Sequence, residues 1–198
     1  MKILIDNGHG ENTPGKCSPN GKFREYQYTR EIAQAVEYEL KKRGYGAERI
    51  VREDIDVPLA ERARRVNEYC GRLGTANVLL VSIHVNAAGN GSEWMNARGW
   101  SAYTSKGQTK ADKLATSMYK AAEEVLPDGI RIRKDYSDGD EDWEENFYIL
   151  RKTKCPAVLT ENLFQDNRED VTFLTSDAGK RAIIDIHVRG IENYINNL

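Results

Sequence analysis

The chain has 198 residues, and its 29 basic and 31 acidic side chains give a formal net charge of −2. This balance argues against a protein that binds nucleic acid through phosphate contacts, because such proteins have a strong basic excess. No apolar run approaches the roughly 20 residues of a transmembrane helix, so we expect no transmembrane segment. The length fits one domain, residues 1–198, which can bury a core without disulfides or structural metals.

Cysteine content and the amino terminus bear on cellular location. The three cysteines form no CxxC pair and do not fit a disulfide framework, which suits a reducing compartment. Asp6 interrupts the N-terminal apolar run after three residues, so the chain shows no signal peptide. We therefore expect synthesis in the cytoplasm without a signal peptide, or a chain from which a leader has been trimmed.

Strand and helix patterns alternate along the chain, which is typical of an α/β fold. We predict a single domain with a twisted, mostly parallel sheet and helices on both faces. The residue pattern in the first half of the chain predicts a strand over 2–6, a loop over 7–21, a helix over 29–43 before Gly44, and a strand over 48–52. A second helix begins near Pro58 and ends at Gly71, with an apolar stripe of Leu59, Ala63, Val66 and Cys70.

The second half contains the most apolar run, residues 78–83, which predicts a central strand over 77–84 that is buried on both faces. A strand over 99–104 and a helix over 109–125 follow. The stretch 128–146 is polar and acidic, which predicts a solvated loop. A strand over 157–161 and a final helix over 177–196 complete the domain.

Polar side chains follow three predicted strands at the points where the strands end. His9 follows the first strand, His84 closes the central strand, and Glu161 closes the strand over 157–161. The carboxyl ends of parallel strands share one edge of a sheet, so these residues can converge. Two imidazoles and a carboxylate are an ordinary ligand set of catalytic zinc. A single histidine at a strand end is more often structural, but two of the three histidines at such ends favour a metal site.

The residues alone leave the third ligand open. Glu11, Glu25 and Glu31 all lie near His9 in sequence, and each has the alternative of a solvated surface carboxylate. Glu25 stands at the entrance of the first long helix, where the helix dipole favours an ionised carboxylate. His187 lies beside the apolar stripe of the last helix, so we assign it a structural or exposed role.

Four short motifs resemble those of one known family. They are Asn7-Gly8-His9-Gly10, Arg24-Glu25, Ser82-Ile83-His84-Val85-Asn86-Ala87 and Pro156-Ala157-Val158-Leu159-Thr160-Glu161. Together they resemble the zinc-dependent N-acetylmuramoyl-L-alanine amidases of the amidase-3 type over essentially the whole chain. The resemblance implies that His9, Glu25 and His84 bind Zn²⁺ and that Glu161 acts on the attacking water. It implies peptidoglycan as the partner, cut at the amide between N-acetylmuramic acid and L-alanine.

Two further residues are candidates for contact with substrate. Asn86 either orients the site or caps the strand end. Arg151 belongs to a leucine-arginine pair that resembles one in the family, and it either binds a stem-peptide carboxylate or forms a surface salt bridge. The chain departs from the family pattern at Asn162 and Leu163, where small residues are common, and we expect a reshaped pocket floor with the catalytic glutamate retained.

The resemblance implies a hydrolase of the cell wall. Met1 directly before the first strand favours a phage or prophage lysin that acts on the wall after release or export, with cytoplasmic peptidoglycan recycling as an alternative location. The stretch 128–146 is short, so we expect no helical plug over the site and no required protein partner. Two other functions stay open: a zinc peptidase that cuts within the stem peptide, and a non-catalytic wall-binding module. Glu161 speaks against the module, since a pure binder needs no catalytic base.

Overall fold

One six-stranded sheet with helices on both faces organises the protein. The computed structural model describes all 198 residues, and none of its helices is both long and apolar enough to span a membrane. The strands are β1 (Lys2–Asn7), β2 (Gly46–Arg49), β3 (Val78–Asn86), β4 (Ser101–Thr104), β5 (Trp143–Glu144) and β6 (Ala157–Phe164). The helices are α1 (Glu25–Lys42), α2 (Leu59–Leu73), α3 (Lys110–Val125), α4 (Tyr148–Lys152), α5 (Arg168–Thr175) and α6 (Asp177–Asn196).

The strand order is β2-β1-β3-β6-β4-β5, and the sheet is mostly parallel as predicted. The first four strands in this order run in the same direction. Strand β4 is antiparallel to β6, and β5 is parallel to β4, so the last two strands in this order run the opposite way. The carboxyl ends of β1, β3 and β6 therefore lie side by side at one edge.

Alternating side chains of the central strands divide the interior into two cores. Ile3 and Ile5 of β1 belong to a core of 30 buried residues, whereas Leu4 belongs to a core of 15. This alternation follows from the two-residue period of a strand. Helices α1, α3 and α6 cover the larger core and α2 and α4 cover the smaller one, which confirms helices on both faces.

Several predicted boundaries are wrong. Helix α1 begins at Glu25 instead of residue 29, and β2 ends at Arg49 instead of residue 52. Helix α2 continues through Gly71 to Leu73, because a glycine inside a helix costs only about 1 kcal/mol. The helix ends before Gly74, whose φ of 84° leaves the helical region. Leu59 is 51% exposed and does not belong to the buried stripe.

The stretch 128–146 is less solvated than predicted. Its residues Trp143 and Glu144 form β5, and the Trp143 ring packs against Tyr103 at 6.2 Å between centroids. Asp142 is buried and accepts a hydrogen bond from Oγ1 of Thr104 at 2.6 Å. The short helices α4 and α5 are absent from the prediction, because so few residues show no clear helical period.

Candidate active site

Three predicted metal ligands meet at the carboxyl edge of the sheet. His9 follows β1, His84 lies near the end of β3, and Glu25 is the first residue of α1. Oε1 of Glu25 lies 3.2 Å from Nδ1 of His84 and 3.5 Å from Nε2 of His9. The two imidazole rings are 5.0 Å apart, and one ligand atom from each of the three residues lies within 4.8 Å of the others. This group has the geometry to hold one metal ion.

A turn between two glycines presents His9. The φ of His9 is 60°, in the left-handed region that non-glycine residues seldom adopt. A Cβ atom on Gly8 would lie 2.4 Å from Cε1 of His84, and one on Gly10 would lie 2.0 Å from the backbone nitrogen of Asp56. Both positions therefore require glycine, and at Gly8 the backbone packs directly against the His84 ring.

Arg62 of α2 fixes the backbone of this turn, and it is a residue that the sequence analysis missed. Its Nη1 donates to the carbonyl oxygen of Asn7 at 2.6 Å and to Oδ1 of Asp6 at 2.7 Å. Its Nη2 donates to the carbonyl oxygen of His9 at 3.1 Å and to Oδ1 of Asp56 at 2.9 Å. The side chain is 2% exposed. A planar guanidinium with fixed donor directions thus holds the turn and two carboxylates together.

Glu25 has the character of a metal ligand. Its side chain is 1% exposed, and Oε1 accepts the backbone N–H of Val85 at 3.0 Å. Burial alone would raise the pKa of this carboxyl, but the hydrogen bond and charge of His84 and the charge of His9 lower it below its usual value. Oε2 is buried without any hydrogen-bond partner. Buried polar atoms are rarely left unpaired, so this oxygen fits a position next to a bound cation.

The two imidazoles of the group have opposite pKa shifts. Burial lowers the pKa of His9 to about 4, which leaves its ring neutral at neutral pH. Burial also disfavours the charged form of His84, but the hydrogen bond and charge of Glu25 outweigh burial and raise its pKa. The site therefore favours one positive charge beside Glu25. A divalent cation held by neutral imidazole nitrogens would supply that charge.

Glu161 lies beside His84, because β3 and β6 pair in parallel with these two residues in register. Burial raises the pKa of the Glu161 carboxyl to about 8, with the charge of His84 opposing the shift and that of Glu25 adding to it. Its Oε2 is buried and has no hydrogen-bond partner. A carboxyl whose pKa lies near neutrality is suited to accept a proton and return it.

The residues after Glu161 are buried, and a reshaped pocket floor stays a prediction. Asn162 is fully buried, and its Nδ2 donates to the carbonyl oxygen of His84 at 2.9 Å while its Oδ1 accepts from Nε1 of Trp100 at 2.9 Å. Leu163 is fully buried in the larger core with a φ of 64°. Asn162 therefore links β6 to the backbone of the His84 strand, and Leu163 contributes to packing under strain.

His187 is structural, which is one of the two roles assigned to it. It is fully buried in α6, where Nδ1 donates to the carbonyl oxygen of Ile183 at 2.7 Å. Its Nε2 accepts from Oγ1 of Thr160 at 2.8 Å. Burial lowers the pKa of His187 to about 4, so the ring is neutral at neutral pH. His187 is not a member of the group that could hold a metal ion.

Asn86 and Arg151 are not joined to the ligand group. Oδ1 of Asn86 accepts the backbone N–H of Ala87 at 2.8 Å. Of the two predicted roles of Asn86, this contact agrees with the strand-end cap. Arg151 is exposed on α4 and forms no ion pair, so a surface salt bridge is wrong for this residue. It borders a cavity of about 580 Å³ with Pro156 and Ala157, at the amino end of β6. Substrate contact by either residue stays a prediction.

Comparison with known proteins gives the family. The sequence model of the N-acetylmuramoyl-L-alanine amidase family matches residues 3–193. An endolysin of Bacillus phage SPP1 is 31% identical over 197 residues, which cover 98% of this chain and 66% of the relative. The N-acetylmuramoyl-L-alanine amidase AmiC of Neisseria meningitidis is 28% identical over 228 residues, which cover 98% of this chain and 52% of the relative. The chain thus spans about half to two thirds of these relatives.

Solved structures share the fold. The CwlD amidase of Clostridioides difficile, solved in complex with the GerS lipoprotein, has a TM-score of 0.80 and covers 100% of this chain and 99% of its own, at 19% sequence identity. At this identity the likeness concerns the fold alone. The family match extends over nearly all of the sequence, and the chain therefore belongs to the N-acetylmuramoyl-L-alanine amidase family.

Proposed function

We propose that residues 1–198 are a zinc-dependent amidase domain that hydrolyses the bond between N-acetylmuramic acid and L-alanine in peptidoglycan. The observation that supports this most strongly is the group of His9, Glu25 and His84 with Glu161 in register beside it. The printed names of the relatives, an endolysin and a cell-wall amidase, agree with peptidoglycan as the substrate.

The donor set favours zinc as the metal. Two imidazole nitrogens and one carboxylate oxygen leave a position open for water or substrate, as in catalytic zinc sites. When bound, zinc would lower the pKa of a water molecule toward neutrality and polarise the carbonyl of the scissile amide. Neutral His9 and ionised Glu25 are already in the protonation states that coordination requires.

Glu161 is the proposed general base and acid. Its carboxylate accepts a proton from the attacking water as the water oxygen bonds to the amide carbonyl carbon. The same carboxyl then donates that proton to the leaving nitrogen of L-alanine as the C–N bond breaks. The products are a carboxylic acid on the muramic acid and a free N-terminal alanine on the stem peptide.

We further propose that the enzyme acts as a lysin on the bacterial wall after its release or export. The support is the phage endolysin, which aligns with 98% of this chain. The alternatives are a peptidase that cuts within the stem peptide and a non-catalytic wall-binding module, and analysis of the digestion products distinguishes them.

Mass spectrometry of digested peptidoglycan tests the reaction. Zinc-loaded protein is expected to release stem peptides that begin with a free alanine and are otherwise intact. A Glu161→Gln variant is expected to lose this release by a factor of about 10²–10⁴, the usual contribution of a general base. Glu145→Gln, which changes an exposed glutamate, is the matched control and should keep full activity.

Other product patterns would contradict the proposal. Cleavage further along the stem peptide would identify a peptidase. Binding to the wall without any soluble product, with zinc present, would identify a binding module.

A further inference from the structure

Two cations near the active site form no ion pair with a carboxylate of the protein. Ten lysines and arginines are buried or half-buried, and eight of them lie within 4.0 Å of a carboxylate oxygen. The two exceptions are Arg133 and Lys16. Half-buried charges normally find a partner, because removing a charge from water costs free energy. Both exceptions are therefore free to pair with an acidic group from outside the chain.

Arg133 lies on the β4 side of Glu161. The carbon of its guanidinium is 5.1 Å from the ring centroids of both Trp143 and Phe164, so two aromatic faces hold the group. Phe164 lies three residues beyond Glu161 on the same strand. The backbone N–H of Arg133 donates to the carbonyl oxygen of Trp100 at 2.7 Å, directly before the strand that pairs with Glu161.

Lys16 lies on the opposite side, next to α1. Its carbonyl oxygen accepts the backbone N–H of Glu25 at 3.0 Å, which places it beside a proposed zinc ligand. The positive charges of Lys16 and Arg133 both reach the Glu161 carboxyl, where they oppose the rise in its pKa. Neither side chain donates a hydrogen bond to any carboxylate of the protein.

We propose that Arg133 and Lys16, one on each side of Glu161, form a subsite for carboxylate groups of an acidic stem peptide. Arg133 is the stronger element, because a guanidinium that contacts two aromatic rings can still bind a carboxylate through two parallel hydrogen bonds. Lys16 contributes a point charge on a loop. The subsite rests on the proposed amidase function, since that function supplies a peptide ligand with free carboxylates.

The subsite gives the enzyme a preference that the metal group cannot give. The proposed ligands and Glu161 act on the amide that is cut, which is the same in every stem peptide. Arg133 and Lys16 instead distinguish a stem peptide with free carboxylates from one in which those groups are amidated. A site built to pair with a charge disfavours a neutral analogue, because its own charges are then left unpaired.

Equilibrium binding with two matched ligands tests the subsite. The ligands are one muropeptide with its stem carboxylates free and the same muropeptide with them converted to carboxamides. Zinc-loaded Glu161→Gln protein is used as the parent so that nothing is hydrolysed. We expect the parent to bind the free acid about tenfold more tightly, which corresponds to about 1.4 kcal/mol.

The variants Arg133→Gln and Lys16→Gln, each made in this parent, should reduce or abolish the preference. They should weaken binding of the free acid and leave binding of the carboxamide within about twofold. Arg131→Gln and Lys22→Gln change exposed cations nearby and should keep the full preference. In the catalytically active protein, the same changes should raise KM for the free acid more than KM for the carboxamide, and any change in kcat should be equal for the two substrates because both depend on the same Glu161.

Three outcomes would overturn the subsite. They are a parent that binds both ligands equally, variants that retain the preference, and variants that weaken both ligands alike, which would indicate a structural role. A change that moves only the pH profile of hydrolysis, without a change in binding, would assign the cations to Glu161 alone. If the active protein hydrolyses neither muropeptide, the amidase function fails, whereas the binding comparison still decides the subsite.

Discussion

Replacement of Arg62 by methionine should destabilise the protein and disturb the proposed metal group together. Methionine keeps an apolar stem and removes the guanidinium, so Asp6 stays buried without its cation and three backbone carbonyls each lose a donor. Breaking a buried ion pair from one side costs about 3–5 kcal/mol. For a chain of this length that corresponds to a fall in Tm of roughly 6–20 °C.

The assay is urea unfolding of metal-free protein, so that zinc binding does not contribute to the measured stability. Arg64→Met is the matched control, because Arg64 lies on the same helix and is exposed with surface partners only. We expect the control to unfold near the wild-type midpoint. The midpoint of Arg62→Lys should lie between those of the wild type and Arg62→Met. Zinc affinity of Arg62→Met should decrease about tenfold, since the carbonyl oxygen of His9 loses one of its two arginine donors and keeps only Arg30. Equal midpoints for Arg62→Met and Arg64→Met would refute this reasoning.

Three further changes have definite expected outcomes. Gly8→Ala should weaken zinc binding at least tenfold in a chelator competition, because the new methyl group displaces the His84 ring, whereas Gly71→Ala has open space and should bind zinc normally. His187 has a pKa of about 4 in the folded protein and about 6.5 when unfolded, so stability should fall by up to about 3 kcal/mol as the pH drops through that window. A His187→Gln variant should show a flatter profile, and an unchanged profile would contradict this assignment. Leu163→Gly should be at least as stable in urea as Leu163→Ala, because a φ of 64° favours glycine by about 1–2 kcal/mol. A Leu163→Ala variant that is more stable than Leu163→Gly would argue against backbone strain at this position.

The strand-end residues of the site were predictable from sequence. His9, His84 and Glu161 each follow a short apolar run, and parallel pairing of β1, β3 and β6 places their carboxyl ends together. The third ligand was not resolved by the residues alone. Glu25 differs from the other glutamates near His9 because it begins α1 and turns inward to accept the N–H of Val85, a contact between distant parts of the chain.

Arg62 and Arg151 show why the rest of the site could not be predicted. An arginine beside Ala63 and Val66 on an apolar helix face signals something unusual, but only the folded chain reveals the carboxylates and carbonyls that it contacts. Arg151 is ten residues from Glu161 in sequence, but it lies before the start of β6, whereas Glu161 lies further along that strand. A strand advances about 3.3 Å per residue, so the start of β6 lies far from the edge where Glu161 sits.

Zinc titration of metal-stripped protein, followed by release of N-terminal alanine from peptidoglycan, tests the proposed metal centre most directly. We expect no release without metal, recovery that saturates at one zinc ion per chain, and a higher zinc requirement for Glu25→Gln, because this change removes the charge between the two imidazoles. Undiminished release after the metal has been stripped, or identical titrations for the wild type and Glu25→Gln, would contradict a catalytic zinc at His9, Glu25 and His84.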